Sequence, residues 1–153
     1  MAEETRIPYY GSWDSELRLV QSVVDHLVNE GYRVRLEVPN MGQSIDVVAT
    51  KNRWITAIEA KTTDWRRALV QCRAHVLVAD FITVALGLRK PPAALADALH
   101  QNGWGLLMFD QTTDAWRWEI RPKRNDRVWR PQRRRFSEGL RRISYGCPER
   151  VEV

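Results

Sequence analysis

Two adjacent apolar runs, SIDVVAT (44–50) and WITAIEA (54–60), constrain the fold more than any other part of this 153-residue sequence. Both runs are rich in β-branched residues, and the three residues KNR between them are short enough to close a hairpin. Because the runs are apolar on both faces, we expect two central strands of a sheet that helices cover on each side. Each run nevertheless carries charge: Asp46 lies in the first, and Glu59 and Lys61 lie at the end of the second. An unpaired buried carboxylate is costly, so these charges require a partner, a metal or a strand end that opens on solvent.

The remaining pattern predicts alternating helices and strands. An amphipathic helix is expected from Trp13 to Glu30, and a second helix from the N-cap Asp64 to about Val78. Further segments show strand or helix periodicity: strands at 32–38, 81–87, 104–110 and 115–121, and a short helix at 93–101. The order α-β-β-β-α-β-α-β-β indicates an α/β or α+β domain with a mixed sheet.

Composition places the chain among globular proteins of single-domain size, with 44% apolar residues. No apolar run approaches the roughly 20 residues of a membrane helix, and the first residues lack the order of a secretory signal. We therefore expect a soluble, cytoplasmic protein with no membrane partner. Two cysteines, Cys72 and Cys147, are too few for a disulfide framework, so reduced thiols are expected, with Cys72 in the core.

The basic excess is concentrated at the end of the chain. Residues 117–153 hold 12 Lys and Arg against 5 Asp and Glu, although the formal net charge of the whole chain is only +5. Arginines alternate there with Trp129 and Phe136, a composition that suits neutralising phosphates and stacking on bases. A solvated, partly disordered tail is the alternative interpretation.

We therefore divide the chain into a domain of residues 1–121 and a basic, partly irregular tail of residues 122–153, in which 134–143 could form one short helix. Removing the chain after about Pro122 is expected to leave a folded core. Arginines at the start of the second helix and in the tail are the predicted nucleic-acid contacts: Arg66, Arg67, Arg124, Arg127, Arg130, Arg133, Arg134 and Arg135. For Arg66 and Arg67 an ordinary exposed helix face is an equal alternative.

The charged residues of the hairpin form the candidate site. Strand periodicity places Glu59 and Lys61 on one face, and the hairpin brings Asp46 alongside them. Two carboxylates with an ammonium group make a hard-oxygen site suited to Mg²⁺ or Mn²⁺. Such a metal neutralises charge on a scissile phosphate and lowers the pKa of a bound water, which the lysine can orient. A salt bridge at an exposed strand end is the alternative for Glu59 and Lys61, and a surface carboxylate is the alternative for Asp46.

These residues resemble the PD-(D/E)XK nuclease superfamily over about 13–110: Asp46 is followed after twelve residues by Glu59, Ala60 and Lys61. The resemblance implies a restriction-endonuclease-like αβββαβ core with extra C-terminal strands. It makes Asp46 and Glu59 metal ligands and Lys61 the catalytic lysine. Ile45 stands where the family name has proline.

Two residues outside the hairpin also match positions of that superfamily. The resemblance makes Glu16, on the first helix, a further carboxylate at the metal, and Gln71, on the second helix, a glutamine that orients the active site. An acid in a first helical turn is also favoured by the helix dipole, and Gln71 could be an ordinary solvated side chain.

The leading hypothesis is a metal-dependent nuclease acting on DNA rather than RNA, with 5′-phosphate and 3′-hydroxyl products as the resemblance implies. Cleavage of both strands would require a homodimer or a larger complex. Two alternatives remain: a nuclease-like fold that only binds nucleic acid or assembles with partners, and a small-molecule enzyme that uses the same acids. His26, His75 and His100 are single residues on predicted helices, and we expect none of them to act as a ligand or base.

Overall fold

A mixed six-stranded sheet forms the centre of the molecule. The computed structural model describes residues 16–110 and 112–145. The elements follow one another as α1 Glu16–Asn29, β1 Arg33–Asn40, β2 Gln43–Lys51, β3 Trp54–Lys61, α2 Trp65–Arg73, β4 Phe81–Leu86, α3 Ala93–Asn102, β5 Gly105–Asp110, β6 Ala115–Ile120 and α4 Arg130–Leu140. The predicted order of the first nine elements is confirmed, and Trp13 to Ser15 lie outside the described residues.

Two tight turns fold β1, β2 and β3 into an antiparallel meander. Met41 and Gly42 connect β1 to β2, and Asn52 and Arg53 connect β2 to β3, with positive φ at all four residues. Two-residue loops of this kind are type I′ turns, whose twist matches that of the flanking strands. The turns set the register in which Val47 pairs with Ile58.

The sheet order β1-β2-β3-β4-β5-β6 places β3 and β4 at the centre. β3, β4 and β5 run parallel, so their carboxyl ends meet at one edge of the sheet. Because β2 runs antiparallel to β3, the beginning of β2 lies at that same edge. The fold therefore brings the start of β2 and the end of β3 together, which is where the predicted site residues lie.

Helices cover both faces of the sheet, as expected from strands that are apolar on both sides. On one face α1 buries Leu19, Val23, Val24 and Leu27. On the other face α2, α3 and α4 contribute to a second core cluster that contains Cys72. The result is a three-layer mixed α+β domain. Within the described residues, no helix is both long enough and apolar enough to cross a bilayer.

Helix α2 is shorter than predicted. Asp64 caps it, accepting a hydrogen bond from the backbone N–H of Arg67 (3.2 Å), as the sequence indicates. The helix ends at Arg73 and not near Val78, because the backbone N–H groups of Ala74 and His75 bond in turns to the carbonyls of Gln71 and Cys72. These turns carry the chain from α2 to the beginning of β4.

The basic segment after Pro122 packs against the sheet. The Asn125 side-chain amide donates to the carbonyl oxygens of Val76 (2.7 Å) and Ala79 (2.8 Å), in the turns after α2. Helix α4 then buries Phe136 and Leu140 in the same core cluster as α2 and α3. The short helix predicted at 134–143 is thus present as α4, beginning at Arg130. The described part of the predicted tail shares the core of the sheet, while residues 146–153 lie outside the described residues.

Candidate metal centre

Asp46 and Glu59 come together where the β2–β3 ladder ends. The last residue pair of the ladder at this end is Val47 with Ile58. One residue further along, the Asp46 side chain replaces the backbone as the acceptor: its Oδ2 accepts a hydrogen bond from the Ala60 backbone N–H (2.9 Å). Glu59 is fully buried on β3, and its carboxyl group lies close enough to Asp46 to raise the pKa of that residue. The structure therefore forms the carboxylate pair that the hairpin predicts.

This pair is electrostatically unfavourable without a cation. Burial, the neighbouring Glu59 carboxyl group and its charge together raise the pKa of Asp46 to about 6, against the Ala60 hydrogen bond and the Lys61 charge. Burial also raises the pKa of Glu59, against the opposing effects of the neighbouring Asp46 and the Lys61 charge. Two carboxylates that resist ionisation together are stabilised by a shared proton or by a bound cation.

A buried histidine holds one oxygen of Glu59. His75 Nε2 lies 2.6 Å from Glu59 Oε1, and both side chains are fully inaccessible to solvent. On the other side of the imidazole ring, His75 Nδ1 lies 3.1 Å from Asn40 Nδ2. The three side chains thus form a continuous hydrogen-bonded chain that ends at the carboxylate.

The chemistry of Asn40 fixes which imidazole nitrogen carries the proton. Asn40 Nδ2 also lies 3.0 Å from the carbonyl oxygen of Ala74, which can only accept, so this atom is the donating amide nitrogen. His75 Nδ1 must then accept, and Nε2–H donates to Glu59. Burial lowers the pKa of His75 to about 4, which agrees with a neutral imidazole rather than an imidazolium in an ion pair.

The second oxygen of Glu59 has no such partner. Glu59 Oε2 is buried and makes no hydrogen bond within residues 16–110 and 112–145. The same is true of Gln71 Oε1, on α2 about one helical turn before His75. Both atoms are acceptors, so each lacks a donor or a cation.

Lys61 and Glu16 lie beside this pair. Lys61 ends β3 with a nearly buried side chain, and its charge lowers the pKa values of both Asp46 and Glu59. Lys61 Nζ lies 3.8 Å from Glu16 Oε1, whose side chain is 56% exposed at the start of α1. Glu16 thus reaches the site from the opposite face of the sheet and contacts the lysine.

The oxygen atoms at this edge suit a hard divalent cation. Asp46 and Glu59 offer carboxylate oxygens, the donor type that Mg²⁺ and Mn²⁺ prefer. Among the residues that the structure describes, no three His, Cys, Asp or Glu side chains converge closely enough to hold a metal ion by themselves. The arrangement therefore presents two carboxylates as candidate ligands, with Glu16 turned to Lys61.

The predicted nucleic-acid contacts fall into two separate places. Arg66 and Arg67 are exposed on the first turn of α2, which begins just after β3, so they lie at the same sheet edge as Asp46 and Glu59. The Arg66 guanidinium stacks 4.2 Å from the centre of the Trp65 ring. Four of the tail arginines instead line a cleft next to the beginning of β3: Arg124, Arg130, Arg133 and Arg134.

The two remaining predicted contacts of the tail lie outside that cleft lining, and Arg133 within it has a structural partner. Arg127 is exposed just after Asn125, while Arg135 lines a smaller groove with Phe136. Arg133 makes a bidentate ion pair with Asp80, with distances of 3.0 Å from Nε to Oδ1 and 2.8 Å from Nη2 to Oδ2. Its guanidinium group is thus engaged with a buried carboxylate.

Strand geometry separates the cleft from the carboxylate pair. A strand rises about 3.3 Å per residue, so Trp54, in the cleft, lies about 16 Å from Glu59 along β3. The tail arginines that line the cleft and the candidate metal ligands therefore do not converge on one phosphate.

His75 and Asn40 are the site residues that sequence reasoning missed. We expected His75 not to act as a ligand or base, and its contact with Glu59, which the structure adds, was not predicted. The helical spacing of Ala68, Cys72 and His75, all buried, was the available signal, since it continues the buried face of α2 into the turns that follow the helix. No comparable pattern marks Asn40, which lies at the end of β1.

Comparisons with known proteins give a distant likeness to a solved structure. No family model and no curated protein matches the sequence. Among solved structures, the chain is similar to the crystal structure of an XisH family protein from Nostoc punctiforme PCC 73102. The two share 16% sequence identity over 65% of this chain and 97% of that chain, with a TM-score of 0.49. We draw no conclusion about the site from so distant a likeness.

Proposed function

We propose that this chain is a metal-dependent nuclease of PD-(D/E)XK type that hydrolyses phosphodiester bonds, in DNA rather than RNA. The observation that carries the proposal is the pair formed by the half-buried Asp46 and the fully buried Glu59, with Lys61 beside it at the carboxyl edge of the sheet. In this proposal α1 to β4 form the restriction-endonuclease-like core. The products would be a 5′-phosphate and a 3′-hydroxyl.

Each residue of the site has a distinct role in this proposal. Asp46 and Glu59 would hold Mg²⁺ or Mn²⁺, which when bound neutralises charge on the scissile phosphate and acidifies a coordinated water. The positive charge of Lys61 lowers the pKa values of both Asp46 and Glu59. In this proposal Lys61 would orient the attacking water or contact the phosphate. Gln71 Oε1 would complete the set of oxygens, and Glu16 would position Lys61 through their 3.8 Å contact.

His75 supports the proposal by directing Glu59. The imidazole Nε2–H hydrogen-bonds Oε1 while Oε2 has no hydrogen-bond partner, and the carboxylate cannot rotate without losing a buried hydrogen bond. Outer partners of this kind orient metal ligands and raise the cost of misplacing them.

A single site of this kind cuts one strand at a time. Cleavage of both strands of a duplex would need a second site, from another copy of the chain or from a larger complex. Arg66 and Arg67 are placed to contact phosphates next to the cut, since α2 begins just after β3.

A second candidate function is a nuclease-like fold that binds nucleic acid without cutting it. One observation favours it: among the described residues only two acidic side chains meet at the site, and Glu16 contacts Lys61 instead. Such a protein would keep salt-dependent binding and show no hydrolysis.

A cleavage assay decides between the two. The purified protein is incubated with labelled linear, nicked, forked and four-way DNA, and with RNA, each with Mg²⁺, Mn²⁺ or EDTA. We expect metal-dependent cleavage that Asp46→Asn and Glu59→Gln reduce by more than the roughly 100-fold that loss of an outer partner costs. Asp97→Asn, which removes an exposed carboxylate on α3, should cut like the parent. Binding without cleavage in every substrate would favour the second function.

A further inference from the structure

A large basic cleft lies at the opposite end of β3 from the carboxylate pair. It has a volume of about 870 Å³ and is formed by the β2–β3 turn, the segment after Pro122 and helix α4. We call it the arginine cleft after the six arginines that line it: Arg53, Arg124, Arg130, Arg133, Arg134 and Arg141. The proposed hydrolysis makes no use of it.

The cleft has a positive charge that its own acids do not balance. Three acids line it, Asp80, Asp126 and Glu138, and Asp80 is already paired with Arg133. The five other arginines are all exposed and face only Asp126 and Glu138. Arginine is suited to phosphate because its planar fork can donate two parallel hydrogen bonds.

An aromatic platform lies in the same cleft. Trp54 is 39% exposed, and the Arg124 guanidinium lies 4.6 Å from the centre of its ring. Phe81 supports Trp54 from the side, edge to face, with ring centres 5.9 Å apart. A fixed aromatic ring among arginines is a combination found where proteins bind nucleic-acid strands.

Arg53 occupies a backbone conformation that favours glycine. Arg53 has φ of 69° and Asn52 has φ of 52°, so Arg53 takes the second central position of a type I′ turn, which strongly favours glycine. The Arg53 carbonyl accepts a hydrogen bond from Arg133 Nη2 (2.9 Å), and glycine would offer the same carbonyl. A strained position occupied by an exposed arginine points to a function of the side chain.

We propose that the arginine cleft is a docking site for the sugar–phosphate backbone of nucleic acid, separate from the site of hydrolysis. The choice of nucleic acid among polyanions rests on the proposed function. Because Trp54 lies about 16 Å from Glu59 along β3, a phosphate in the cleft is not the one that is cut. At about 3.4 Å per nucleotide along a strand, the docked segment lies at least about five nucleotides from the cut, or on another strand.

The test is a binding titration in EDTA, where nothing is cut. Fluorescence anisotropy with labelled 30-nucleotide single-stranded and duplex DNA, at several salt concentrations, compares the parent with Arg53→Gly, Arg124→Ala and Arg134→Ala. We expect each variant to bind several-fold more weakly and to lower the salt slope by about one. Arg117→Ala, which removes an exposed arginine of β6 outside the cleft, serves as the matched control and should bind like the parent.

Arg53→Gly separates binding from folding. Its turn prefers glycine, so the denaturation midpoint should equal or exceed that of the parent while the affinity falls. Affinities and salt slopes equal to those of Arg117→Ala in all three variants would overturn the proposal. Competition by poly-glutamate as strong as that by DNA of equal charge would also overturn it, in favour of an acidic protein partner.

The same titration distinguishes this proposal from the proposed nuclease. Asp46→Asn should lose cleavage and keep its affinity in EDTA. A parent that binds through the cleft but cuts no substrate would retain the docking site and refute the nuclease. A parent that cuts DNA while the three cleft variants bind normally would refute the docking site alone.

Discussion

At the scale of single residues, Asp46 and His75 respond to pH in opposite senses. The Asp46 pKa is raised from 3.8 to about 6, so the folded state holds this proton more tightly, and the free energy of unfolding falls as pH rises through that window. The His75 pKa is lowered from 6.5 to about 4, so the unfolded state binds its proton more readily, and stability rises with pH between those values. In the parent protein the two contributions oppose each other.

Single substitutions should separate these contributions. Relative to the parent, Asp46→Asn should make the free energy of unfolding rise more steeply with pH between about 4 and 6. His75→Gln, which keeps a donor toward Glu59, should make the free energy of unfolding fall more steeply with pH between about 4 and 6.5. Urea unfolding followed at a series of pH values measures both slopes. Two variants with the same change in slope would contradict the assignment.

Asn40 acts on the site only through His75, and this can be tested without a substrate. Asn40→Ala removes the amide that fixes the imidazole tautomer, so His75 no longer must present Nε2–H to Glu59. We expect Mn²⁺ affinity, measured by calorimetric titration, to fall by about tenfold, as for other outer partners of metal ligands. Asn102→Ala removes a comparable amide bond to a backbone carbonyl on α3 and should leave the affinity unchanged. Equal effects of the two substitutions would remove Asn40 from the site.

At the scale of elements, α4 is attached to the sheet through Arg133. This arginine bridges the Asp80 carboxylate before β4 and the Arg53 carbonyl in the β2–β3 turn. Asp80 is 4% exposed and also accepts a hydrogen bond from the Ile55 N–H (2.8 Å), so a backbone N–H and the Arg133 guanidinium both engage its carboxylate. Arg133 is one of the arginines predicted to contact nucleic acid. Its bonds within the described residues instead give it a structural role, which is to hold α4 against the sheet.

Neighbouring arginines on α4 should therefore behave differently. Arg133→Ala leaves the Asp80 carboxylate without its ion pair and should lower the free energy of unfolding by about 3 kcal/mol. Arg134→Ala removes an exposed side chain and should change it by less than about 0.5 kcal/mol. Chemical denaturation of the two variants measures the difference. Equal stabilities would show that the Arg133 ion pair contributes no more than a surface contact.

At the scale of the whole molecule, local patterns predicted the order of the elements and the carboxylate pair. Alternation and β-branched residues marked the strands, and the short link between 50 and 54 required a hairpin that brings Asp46 beside Glu59. Asp64 marked a helix start through capping, and the structure has this cap. These features depend on neighbours within a few residues, which is why the sequence alone reveals them.

Contacts between distant segments could not be predicted in this way. The bond from His75 to Glu59 spans 16 residues, and the bond from Asn40 to His75 spans 35. The docking of Asn125 on the turns after α2 likewise has no local signature, so the sequence predicted that the chain could be cut after Pro122. The structure gives the opposite expectation, because such a truncation would remove Phe136 and Leu140 from the core.

The most direct test of the central claim, that Asp46 and Glu59 share a divalent cation, is thermal unfolding with increasing Mn²⁺, since it needs no knowledge of the substrate. A cation that binds only the folded state must raise the Tm of the parent progressively with its concentration. We expect the Tm of Asp46→Asn and Glu59→Gln to rise much less, and the Tm of Asp97→Asn to rise as in the parent. Equal shifts in all four proteins, or no shift in the parent, would contradict the claim.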